Sequence, residues 1–149
     1  MSSSSSQRGN LLVAVDGSTF EIDELINQTL RCVYRPGDTV FLIRVQGRPT
    51  SYDDHLLKIA RRACVIHQVP SVEILIHADT LKSSHIADKL LSYAARIDAR
   101  FLVMGKNDTR RGGVVSSDDA VDVALRRADR PLLCVNFAPE LTRAPNIDD

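Results

Sequence analysis

The chain has 149 residues and a formal net charge of zero, from 19 basic and 19 acidic side chains, which suits one domain with a substantial core. Hydrophobic residues make up 44% and aromatic residues 5%, with no Trp, so the sequence lacks both the basic footprint and the stacking platform that nucleic acid requires. No apolar run approaches the roughly 20 residues of a membrane-crossing helix, so neither nucleic acid nor membrane is an expected partner.

Residues 1–10 hold five consecutive serines and no apolar core segment; they read as a disordered tail and not as a secretory signal. Leu11-Leu12-Val13-Ala14-Val15 is a strand apolar enough to be buried on both faces, and it runs into Asp16-Gly17-Ser18. Ile22, Leu25, Ile26, Thr29, Leu30 and Val33 then form an apolar stripe at helical spacing. Pro36-Gly37-Asp38 ends that helix, and Thr39 to Val45 is a second strand. A loop is expected from Gln46 to Asp54, followed by a helix through Leu56, Ala60, Ala63 and Cys64 that ends near Pro70. Val72, Ile74 and Ile76 alternate with Glu73, Leu75 and His77 in the manner of an edge strand. Ser83 or Ser84 caps a third helix with Ala87, Leu90, Leu91 and Ala94 on its face. Phe101-Leu102-Val103-Met104 is a fourth strand, and a loop is expected from Gly105 to Ser117. A fourth helix carries Ala120, Val121, Ala124, Leu125 and Ala128, and Leu132 to Val135 is the fifth strand. The domain spans residues 11–137, and residues 138–149, rich in Pro, Asp and polar side chains, form a second disordered tail.

Strands alternating with helices imply βαβ units, a parallel sheet between two helical layers, and a ligand crevice beyond the carboxyl ends of the strands where their order reverses. The two apolar strands ending at Asp16 and Gly105 supply the halves of such a crevice, one a carboxylate and the other a flexible glycine. Asp16 is equally well placed to cap the first helix. Gly105 suits a turn that needs positive φ, and Met104 suits packing. Arg44, near a strand end, is expected to reach solvent. Cys32, Cys64 and Cys134 are odd in number, widely spaced and set in apolar elements, as expected of buried, reduced thiols in a cytoplasmic protein. His55, His67, His77 and His85 fit no metal-ligand spacing, so no metal site is expected and these residues belong to the surface or edges.

From Leu11 to Val135 the chain resembles the universal stress protein family. The resemblance lies in Val13-Ala14-Val15-Asp16-Gly17-Ser18, in Phe101-Leu102-Val103-Met104-Gly105, and in Ala120 to Val135, where Leu125-Arg126-Arg127-Ala128 precedes Pro131-Leu132-Leu133-Cys134-Val135. It implies a Rossmann-like three-layer α/β sandwich: a five-stranded parallel sheet in the order 3-2-1-4-5 with four helices, as in adenine nucleotide alpha hydrolases. A homodimer is also implied, here through the exposed edge formed by Leu132, Leu133, Cys134 and Val135. In members that bind ATP, the positions matching Asp16, Val45, Met104 and Gly105 hold the adenosine end.

The phosphate half of that pattern is altered. Asp108 stands where a second glycine is expected, Asp118-Asp119 replaces a Gly-Ser or Gly-Thr pair, and Gly112-Gly113 lies out of register. Backbone N–H groups at a helix N-terminus attract phosphate, and carboxylates there occupy the same site from within. Two routes would restore phosphate binding: Arg110 and Arg111, or Mg²⁺ bridging carboxylate and phosphate. No Ser, His and Asp set has a recognisable catalytic context, and no complete Walker A loop occurs. The expected function is a non-enzymatic, dimeric binding or regulatory module of the stress response with weak or no ATP binding. The alternative is an ATP or AMP sensor that uses the same crevice with Mg²⁺.

Overall fold

A computed structural model describes residues 8–47, 50–107 and 120–137. Strands β1 (Asn10–Ala14), β2 (Thr39–Gln46), β3 (Ser71–His77), β4 (Ala99–Asn107) and β5 (Leu132–Phe137) alternate with helices α1 (Thr19–Cys32), α2 (Ser51–Ile66), α3 (Ser83–Arg96) and α4 (Ala120–Arg127). The strands form one sheet in the order β3-β2-β1-β4-β5, every neighbouring pair parallel, as the sequence reading anticipates.

Burial of β1 organises the layers. Leu11 and Val13 point into a cluster with Ile22, Leu25 and Ile26 of α1 and Leu56, Leu57 and Ala60 of α2. Leu12 points the other way, into a cluster with Ala87, Leu90 and Ala94 of α3 and Val121 and Ala124 of α4. A Leu side chain taken fully out of water contributes roughly 2 kcal/mol, so two apolar faces on the central strand commit the chain to two helical layers.

Several boundaries depart from the sequence reading, each for a local reason. The strand β1 starts at Asn10, whose side-chain amide donates to the Ile97 carbonyl at 2.8 Å. Helix α2 begins at Ser51, inside the expected loop, because Thr50 caps it by accepting from the Asp53 amide. Neither Ser83 nor Ser84 caps α3: Lys82 is the N-cap residue and makes no side-chain cap bond. Leu125 is half exposed, since the buried stripe of α4 runs through Val121, Val123 and Ala124 and rotates it off the sheet. In β3, Val72 is exposed while Ile74 and Ile76 pack on the α3 side, as the edge position allows.

The thiols also differ from expectation. Cys32 is exposed and Cys134 half-buried; only Cys64 is fully enclosed, where burial pushes its thiol up to about 11 against the opposing pull of a Ser71 hydrogen bond. All four histidines are exposed.

The turn expected at Pro36-Gly37-Asp38 does more than end a helix. Asp38 is completely buried; its carboxylate accepts from the Arg35 amide at 2.8 Å and pairs with Arg100 of β4. Arg100 also donates to the Val33 carbonyl at 2.9 Å, tying the end of α1 to β4. Removing one member of a buried pair strands the other charge without water. Arg100→Met is therefore expected to destabilise the fold by about 3 kcal/mol, measured by urea unfolding against wild type; a loss below about 1 kcal/mol, the range of an exposed pair, would show that Asp38 is rehydrated.

Candidate functional site

A cavity of about 410 Å³ opens at the carboxyl ends of β1, β2 and β4. It lies at the reversal of strand order between β1 and β4, where open α/β sheets hold their ligands. Asp16, Val45, Met104 and Gly105 all line it, so residues from three distant parts of the sequence share one wall system. Ile43, Leu81, Ile86, Leu90 and Val121 supply apolar surface, and Gly17, Glu21 and Arg44 supply polar groups. The other candidate residues, Asp108, Arg110, Arg111, Gly112, Gly113, Asp118 and Asp119, lie outside the described residues, as do the two expected tails apart from residues 8–10.

Asp16 does not cap α1. Ser18 does, in a reciprocal capping box: its side chain accepts from the Glu21 amide at 3.2 Å, and Glu21 accepts from the Ser18 amide at 3.0 Å. Gly17 lets the chain enter this box with φ of 104°, a conformation that L side chains rarely adopt. The Glu21 carboxylate already occupies the Ser18 N–H at the start of α1, leaving that helix end less attractive to an anion.

Arg44 is largely enclosed, and its guanidinium is bound to protein groups. Side chains alternate along β2, so Arg44 shares the face of Val40 and Leu42 and lies under the first turn of α2. Its Nε donates to Asp53 Oδ1 at 2.8 Å, and its Nη1 donates to Asp16 Oδ1 at 2.9 Å and to the Val15 carbonyl at 3.3 Å. Thr50 completes the chain by donating to Asp53 Oδ2 at 2.8 Å. Arg44 and Asp53 are largely enclosed, at 18% and 6% side-chain exposure, whereas Asp16 stands at 85%. The Arg44 hydrogen bond holds the Asp53 carboxyl below its ordinary range, with Thr50 assisting and burial opposing. Burial alone would lower Arg44, but its bonds and charge contacts with Asp53 and Asp16 raise it, so the cation is secure.

Gly105 is not in a turn. The strand β4 continues to Asn107, pairing Gly105 with Val135 and Asn107 with Phe137. Its backbone is not in the positive-φ region; what excludes a side chain is the Phe137 ring, whose Cε2 would lie 2.5 Å from an added Cβ. Phe137 itself lines the cavity. Met104, expected in packing, does both: it is buried in the α3/α4 cluster and contributes to the wall.

No family model and no curated protein matches the sequence. Solved structures do match in three dimensions. A universal stress protein from Archaeoglobus fulgidus is 16% identical with a TM-score of 0.64, covering 85% of this chain and 98% of its own. The universal stress protein from the same organism in complex with dAMP is 18% identical with a TM-score of 0.63, covering 85% and 97%. A universal stress protein in complex with cAMP is 16% identical with a TM-score of 0.65, covering 87% and 98%. The fold is therefore the α/β fold of universal stress proteins, with the strand order and four helices that the sequence resemblance implies. No helix among the described residues is long and apolar enough to cross a membrane.

Because Asp53 titrates below its ordinary 3.8 in the folded protein, its contribution to stability is present above that value and is lost as pH falls through the lowered one. Asp53→Asn is expected to cost about 2–3 kcal/mol near neutral pH. The gap to wild type should then shrink as pH drops below about 4. Urea unfolding of both proteins across that range checks this; a gap that stays constant would remove the carboxylate from the stability of the site.

Proposed function

We propose that this chain is a universal-stress-protein-like, non-enzymatic binding or regulatory module of the stress response, acting in the cytoplasm as a homodimer. Its ligand is an adenosine-containing molecule held in the β1/β4 crevice. The observation that carries this reading is the convergence of Asp16, Val45, Met104 and Gly105 on one cavity at the strand-order reversal. Support comes from the solved proteins of like fold in complex with dAMP and with cAMP. The cavity joins an apolar wall, suited to a base, to an exposed carboxylate at its mouth, suited to sugar hydroxyls.

Weak or absent ATP binding follows from the charges around the phosphate end. Asp108, Asp118 and Asp119 stand in the sequence between β4 and α4, and Glu21 already accepts from the Ser18 amide at the start of α1. At an effective dielectric of about 20, one carboxylate about 4 Å from a phosphate oxygen costs roughly 4 kcal/mol before screening. The alternative is an ATP or AMP sensor in which Arg110, Arg111 or Mg²⁺ offsets that charge, with Gly112-Gly113 giving the backbone close approach; the two arginines in the same stretch of sequence favour it. The dimer reading rests on β5, which closes one edge of the sheet with Leu132, Leu133, Cys134 and Val135.

Calorimetry with adenosine, AMP, ADP and ATP, in EDTA and in Mg²⁺, tests the ligand. Wild type is expected to bind adenosine and to bind ATP no tighter in EDTA, and Asp16→Ala is expected to abolish adenosine binding while leaving the fold intact. Tight ATP binding in EDTA overturns the weak-ATP reading in favour of the sensor, and binding unaffected by Asp16→Ala moves the site elsewhere. A dimer is expected by sedimentation at concentrations of about tens of micromolar, and a monomer there overturns that part.

A further inference from the structure

We infer that Arg44 is the positioning residue of the crevice. It clamps the exposed carboxylate of Asp16 by a single oxygen, so that the other oxygen faces a hydrogen-bond-donating ligand in a fixed direction. Both hydrogen bonds that Asp16 accepts use Oδ1, from Arg44 Nη1 at 2.9 Å and from the Gly17 amide at 2.8 Å; Oδ2 accepts none among the described residues. An exposed aspartate without such a clamp samples several rotamers and loses that freedom when a ligand binds. The clamp is itself held from below. Asp53 takes Nε, Thr50 holds Asp53, and the Val15 carbonyl takes a second bond from Nη1.

This arrangement uses geometry that only a guanidinium provides. Its rigid fork reaches the buried Asp53 and the exposed Asp16 at once, whereas an ammonium is a point charge at the end of a flexible stem. The ligand class follows from the oxygen left open. An ionised carboxylate accepts and does not donate, so Oδ2 recognises hydroxyl or amine donors, such as a sugar diol, and repels a phosphate placed there. This assignment rests on the crevice reading proposed above, but its first readout is free of ligand.

Three-bond couplings from Asp16 Cγ to the backbone nitrogen and carbonyl carbon report its χ1 distribution. Wild type is expected to show one rotamer and Arg44→Met an average. Since Arg44→Met also leaves Asp53 unpaired in the interior, Arg44→Lys serves as the second variant: it keeps a cation for Asp53 without the second arm, and rotamer averaging is again expected. Adenosine and 2′,3′-dideoxyadenosine then test the consequence. Wild type is expected to prefer adenosine by about tenfold or more, the worth of a hydroxyl bonded to a carboxylate, and both Arg44 variants by no more than about threefold. A merely structural Arg44 would weaken both nucleosides equally. Averaged couplings in wild type, or an undiminished preference in both variants, overturn the assignment. A fixed rotamer that averages in the variants supports the clamp even if wild type binds neither nucleoside, a result that overturns the crevice reading instead.

Discussion

The strand β1 is paired along both edges and covered on both faces, and the rest of the molecule is arranged to make that burial possible. Leu11, Leu12 and Val13 have no accessible surface at all. A strand enclosed on four sides satisfies its backbone only through β2 and β4, and its side chains only through two separate helical layers. Polar chemistry is thereby excluded from its middle and appears where the strand stops. Asp16 and Gly17 stand at that point, beside the ends of the two strands that flank β1.

The same constraint explains why charges at the two ends of the sheet are handled so differently. At the amino ends, Asp38 and Arg100 close a buried pair that ties the end of α1 to β4, and nothing in that cluster is offered to solvent by the carboxylate. At the carboxyl ends, Arg44 joins a buried carboxylate to an exposed one. Buried ion pairs contribute little net stability against a well-packed apolar alternative, yet losing one partner is costly. The first pair thus acts as a structural tie, and the second extends the rigidity of the interior to the mouth of the cavity.

Packing also reassigns the reason for a glycine. In a turn, Gly105 would owe its identity to backbone conformation; within β4 it owes it to the ring of Phe137, two residues beyond its partner Val135 on the neighbouring strand. The lining of the cavity therefore includes an aromatic side chain from the last described residue of β5, which couples the edge of the sheet to the crevice.

The order of strands and helices was legible in the sequence because it depends on local periodicity. Alternating or continuous apolar runs make strands, stripes at helical spacing make helices, and Pro36-Gly37 or Pro131 mark the breaks. Asp16 and Gly105 were singled out by position, each following an apolar run, and Val45 and Met104 by the resemblance to universal stress proteins; all four line the cavity. One further signal was present: the alternation along β2 places Arg44 on the face of Val40 and Leu42, beneath a helix. What only the tertiary structure decided was partnership. Asp53 meets Arg44 because α2 starts at Ser51, Arg100 meets Asp38 across the sheet, and Phe137 crosses Gly105 through the β4–β5 register. Each joins residues whose separation in sequence carries no periodic signal, so their contact is determined by how the layers pack and not by any local preference of the chain.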